Sequence, residues 1–183
     1  MHEVSLNQTI IDYVTGQEIE ETTYEDLRQA LAKILVEDKK YPKTALDPKY
    51  GFDFILDGQK TQVSVDLAVF APDKTPLLAL FFCPGAVGTF VRQSIAAARI
   101  HQPAPFPLVA VTDLKDVHIH AVEKGALLGT GFYALPLWEA LPKIAAEHPV
   151  APLAAQRLEK EQRILVAYKG LGGPCCSGQC SSP

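Results

Sequence analysis

The chain has 183 residues, 48% of them apolar and 21% charged, the balance of a globular protein with room for one real core. A net charge of −4 excludes the overall basic excess of a nucleic-acid or anionic-membrane binder, leaving only a local basic patch open. No run of 18 apolar residues occurs, and "MHEVSLNQTI" lacks a basic stretch followed by an apolar one, so the expectation is a cytoplasmic protein without membrane contact.

In chain order, residues 1–21 read as an irregular N-terminal arm. A helix is expected from Thr22 or Thr23, because Thr22 with Glu25 three positions on forms a capping box. Leu27, Ala30, Leu31, Ile34 and Leu35 then recur at helical spacing, and Pro42 closes the segment. "YGFDFIL" and "KTQVSVDLAVF" flank Asp57-Gly58, a strong hairpin signal. Regular alternation along the second strand directs Val63, Val65, Leu67 and Val69 one way and Gln62, Ser64, Asp66 and Ala68 the other.

"LLALFFC" follows as a third strand. A helix over about residues 88–101 comes next, with Val87, Val91, Ile95 and Ala98 on one face. "PLVAVTD" and "VHIHAV" are the fourth and fifth strands. "LPLWEALPKIAAE" reads as a helix kinked at Pro142, with Trp138 packed on the core. "LAAQRLEKEQRILVAYK" reads as a final helix.

This order makes a mixed α/β domain, a central sheet flanked by helices. The division is an arm over 1–21, the α/β domain over 22–150, a C-terminal helix over 151–169 and a flexible Gly/Cys-rich tail over 170–183.

Three of the four cysteines, Cys175, Cys176 and Cys180, fall in the last nine residues. Their spacing is not that of a zinc ribbon, yet three thiolates could hold a soft ion such as zinc, with a fourth ligand from elsewhere. His118 and His120, two apart on a strand, share a face; the plain reading is a pair of surface histidines on an edge strand, since no third ligand lies in sequence reach.

Four pieces in order resemble a known family. They are the helix "EETTYEDLRQALAKILVEDKKYPKTAL" with Glu25, Arg28 and Gln29, the strand "VSVDLAVF", the strand "PLLALFFCPG", and a helix bearing Gln93. Over about residues 12–120 they resemble the N-terminal nuclease domain of type I restriction enzyme R subunits, in the PD-(D/E)XK superfamily. The resemblance implies a restriction-endonuclease-like sheet of helix, three strands, helix and two strands. It also implies a magnesium-dependent site. In that site a strand Asp and the Glu of a Glu-x-Lys strand hold the metal, which activates water, while the Lys stabilises charge developing on phosphate.

Asp66 matches the metal-binding Asp, Glu25 is a candidate helix carboxylate and Gln93 a candidate remnant of the helix glutamine. The Glu-x-Lys positions are Phe81 and Cys83. Phenylalanine cannot ligate a hard cation, and a cysteine supplies no fixed positive charge. The plain readings are that Asp66 is a hydrogen-bonded strand residue, Glu25 a capping residue, and Arg28 half of an exposed ion pair with Glu25 or Asp26.

Three functions stay open on the sequence: a catalytically inactive binding or interaction protein on a nuclease fold, a metal-dependent DNA endonuclease with an atypical site, and a thiol-based metal or redox protein acting through its tail. The partner would be a protein or DNA, and an oligomer is possible. No Gly-x-x-x-x-Gly-Lys-Ser/Thr occurs, so the chain brings no nucleotide-driven motor of its own.

Overall fold

A computed structural model describes residues 4–83 and 85–171. The N-terminal segment forms a two-stranded antiparallel sheet, β1 (Ser5–Ile11) with β2 (Glu18–Thr22), where an irregular arm was expected. Its turn is tied by the Asp12 carboxylate, which accepts from the Val14 and Thr15 backbone N–H groups at 3.0 and 2.7 Å.

Helix α1 (Glu25–Lys33) starts later than the capping box implied: its N-cap is Tyr24, which makes no side-chain cap bond, and Thr22 ends β2. A π-helical turn over Ile34–Asp38 extends it.

Strands β3 (Leu46–Leu56) and β4 (Gln59–Phe70) form the expected hairpin. Asp57 and Gly58 both have positive φ, 51° and 76°, as a two-residue turn matched to strand twist requires. Strand β5 (Pro76–Phe82) pairs antiparallel with β4. Helix α2 (Val87–Ile100) crosses to β6 (Leu108–Thr112), which pairs parallel with β5.

Strand β7 (Val117–Ala121) follows, and then β8 (Ala126–Thr130), which the sequence reading did not anticipate. Together β3 to β8 form a six-stranded mixed sheet in sequential order. Pro142 does not kink a longer helix. It sits in the first turn of α3 (Leu141–Glu147), where its missing N–H is no loss. The final helix is α4 (Ala155–Leu171).

The central strands β5 to β7 are buried on both faces. On one, Leu31 from α1, Leu35 from the π-helical turn, and Leu141 and Ala145 from α3 pack with Leu67, Val69, Leu78, Leu80, Leu108 and Ile119. Trp138 joins this cluster, its ring 5.5 Å from that of Tyr41. On the other, Val87, Ile95 and Ala98 of α2 meet Val65, Ala68, Ala79, Val109 and Val111. Leu165 of α4 adds to Ala96, Ala97 and Ile100 over Phe54, Leu56 and Val63.

These contacts correct the expected strand faces. Val63 and Val65 lie on the α2 side, whereas Leu67 and Val69 lie on the α1 side. The pairs Pro48↔Leu67 and Tyr50↔Val65 bracket Lys49 and Asp66, and Lys49 has a left-handed φ of 52°. The alternation changes face at that step, so the simple period-2 rule fails there.

Candidate functional site

Asp66 stands at this irregular step of β4. The register Leu67↔Leu80 brings it opposite Phe81 on β5, and its Oδ2 accepts the Phe82 backbone N–H at 2.7 Å. Phe82 turns the other way from Phe81, its ring 5.5 Å from that of Tyr24 at the start of α1. Phe81 is half-buried among apolar residues of the α2 side.

Cys83, just past β5, is 0% exposed in the same α2-side cluster. Phe81 and Cys83 therefore share a face, as strand alternation requires, and that face is apolar. Burial pushes the Cys83 thiol up, with the charges of Asp113 and Asp66 adding to the effect, and the thiol donates to the Gly85 carbonyl at 3.4 Å. Such a cysteine is a packed thiol, not a thiolate ligand. Gln93 is half-buried on α2.

The polar chemistry lies instead beneath α1. Glu25 is 0% exposed, neither a solvated capping residue nor half of a surface pair. Its Oε1 accepts from Arg28 and, at 3.0 Å, from Gln29, while its Oε2 lies 2.9 Å from the Lys49 ammonium. Arg28 also donates to Asp12 Oδ2 at 2.8 Å, and Gln29 donates to the same oxygen at 3.1 Å. Gln29 in turn accepts the Tyr13 backbone N–H at 2.7 Å.

Arg28 is thus a buried cation shared by two buried carboxylates, where an exposed pair had been expected. Its Nε and Nη1 are buried and have no hydrogen bond among the described residues. Burial raises Asp12, but the Thr15 backbone and hydroxyl bonds, Arg28 and Gln29 outweigh it and hold the carboxyl below its ordinary range.

Of these residues the sequence reading had singled out Glu25, Arg28 and Gln29. It missed Asp12 and Lys49. Asp12 had a local signal, an Asp four residues before Gly16, which suits an Asx turn. Lys49 had none, because its role depends on a left-handed backbone within a strand.

The implied magnesium does not fit these residues. A hard divalent ion needs several free oxygen ligands. Glu25 has Oε1 bonded by Arg28 and Gln29 and Oε2, which has no hydrogen bond among the described residues, ion-paired with Lys49; Asp66 has Oδ2 on a backbone amide, Phe81 offers no donor and Cys83 is a protonated thiol. Among the described residues no group of three or more His, Cys, Asp or Glu is placed to hold a metal.

His118 and His120 are not a surface edge pair. Strand β7 is internal to the sheet, and His120 is buried with its Nδ1 3.1 Å from the Gly125 carbonyl. Cys175, Cys176 and Cys180 lie outside the described residues. No helix among the described residues is long and apolar enough to cross a membrane.

A family model described as the N terminus of the type I restriction enzyme R protein matches residues 23–136, more than half of the chain. That span runs from the residues before α1 through β8, so it includes Glu25, Arg28, Lys49, Asp66, Phe81 and Cys83. No curated protein and no solved structure matches the chain.

Proposed function

The chain belongs to the family of type I restriction enzyme R protein N-termini, and from that membership we propose a nuclease-like domain that acts by binding a partner and does not cleave DNA. The observation that carries this reading is the apolar burial of Phe81 and Cys83, where the resemblance calls for a metal-binding carboxylate and a lysine. Metal-assisted phosphodiester cleavage needs a cation to generate the nucleophile and balance charge on phosphate, and a positioned cationic side chain adds to that stabilisation. Neither position can supply its part. The remaining carboxylates support the same reading, since Glu25 and Asp66 are both engaged within the protein.

Under this proposal, residues 22–150 form a PD-(D/E)XK-type unit and residues 151–169 an appended helix. The partner is a protein or DNA recognised without chemistry. Supercoiled plasmid incubated with the purified chain and Mg²⁺ or Mn²⁺ tests the proposal. The expected result is no nicked or linear product. Metal-dependent nicking that disappears in Asp66→Ala would overturn it.

A further inference from the structure

We infer that Lys49 is the resident cation of this site: its ammonium stands where a divalent ion would neutralise Glu25 and Asp66, and its presence keeps the site closed to metal. The inference rests on the reading of the domain as a non-cleaving member of its family.

The geometry is specific. Lys49 lies on β3 directly opposite Asp66, between the pairs Pro48↔Leu67 and Tyr50↔Val65. Its φ of 52° is a left-handed conformation that a non-glycine residue keeps only when its surroundings enforce it. The side chain is 44% exposed, yet its Nζ reaches the fully buried Glu25 at 2.9 Å. A lysine with a long apolar stem can lie along the surface in this way and deliver its charge to a buried carboxylate.

The charge count points to the same role. Among the described residues Arg28 is the other cation in contact with Glu25, and it is shared with Asp12. Without Lys49, the buried carboxylates of Asp12 and Glu25 would be left with Arg28, one positive charge for two negative ones. A cation is what that excess attracts, and an ion that seeks oxygen ligands is drawn to such carboxylates once Lys49 no longer blocks them. Losing Lys49 would leave Glu25 Oε2 buried with no cation of its own, since Arg28 binds Oε1 and is shared with Asp12.

Titration with Mn²⁺, followed by the electron paramagnetic resonance of the free ion, tests the inference without reference to activity. Lys49→Met keeps the chain length and removes the charge. Lys49→Gln also retains a donor for Glu25 and serves if the first variant does not fold. Lys49→Arg keeps the cation. The neutral variants should bind Mn²⁺ at least about tenfold tighter than the wild type, and Lys49→Arg should not. Adding Glu25→Gln to a neutral variant should abolish the gain.

Equal Mn²⁺ affinity in the wild type and both neutral variants would overturn the role of Lys49. So would wild-type binding that Glu25→Gln removes. Either result leaves the non-cleaving reading to the plasmid assay, so the two failures are distinguishable.

Discussion

His101, at the C-terminal end of α2, is 2% exposed, yet both of its ring nitrogens are satisfied. Nδ1 donates to the Ala104 carbonyl at 2.6 Å and Nε2 accepts from the Tyr50 hydroxyl at 2.9 Å, an arrangement that fixes the neutral tautomer. The ring is packed against Phe52 and Phe106, with centroids 5.2 and 4.6 Å away. Burial pushes His101 below its ordinary value, with the Ala104 bond opposing, and burial also lowers His120. Above about pH 6.5 neither the folded nor the unfolded chain protonates these rings, and their stabilisation is complete. As pH falls below that value the unfolded chain gains protons that the native state refuses, so stability falls until the depressed native values are reached. Urea unfolding at pH 7.5 and 5.5 should show a loss of about 1 kcal/mol or more at the lower pH, clearly smaller in His101→Gln. A loss of the same size in that variant would remove His101 from the account. Nothing in "ARIHQP" signalled this role. The aromatic partners come from β3 and the loop before β6, and only folding assembles them.

Helix α4 is attached to the sheet domain by one buried charge, an exposed bidentate Arg163–Asp57 pair at the β3–β4 turn, and apolar contacts of Leu158, Ile164 and Leu165. Glu161, 5% exposed, accepts from Arg92 at 2.7 Å and from Arg99 at 2.8 Å, both on α2. Leu165 covers Ala96, Ala97 and Ile100 beside it. Removing one partner of a buried pair leaves the others stranded, although Arg92 is exposed enough for water to recover part of the loss. Glu161→Ala should cost about 2 kcal/mol in urea unfolding and raise amide exchange in α4 more than in β5 or β6. Unchanged exchange in α4 would contradict this attachment. At the same scale the sequence was a good guide wherever local chemistry decides structure. Asp57-Gly58 fixed the β3–β4 turn, and apolar spacing located α2 to within a residue at each end. It failed where tertiary contacts decide. "ALLGT" carries no alternation to mark β8, which forms by pairing with β7, and the step at Lys49 and Asp66 reverses the side-chain faces of both strands.

Across the whole molecule, membership of the restriction R-protein N-terminal family was legible from the order of a few motifs, and the family match over residues 23–136 bears it out. The candidate site was only half legible. The residues at the positions where the resemblance implies Glu-x-Lys, Phe81 and Cys83, can be read directly from "LFFCPG". The buried network of Asp12, Glu25, Arg28, Gln29 and Lys49 could not be, because it joins residues from the β1–β2 turn, α1 and β3 that are far apart in the chain. The proposed non-cleaving reading requires that the end of β5 serve packing, with position 83 sealed in an apolar cluster. Equilibrium urea unfolding of Cys83→Lys, which places there the cation that the resemblance implies, is the test. A loss of about 3 kcal/mol or more is expected, because the ammonium would be buried among apolar side chains. A Cys83→Lys protein within about 1 kcal/mol of the wild type would show that the position still faces a polar, solvated site, and would contradict the account.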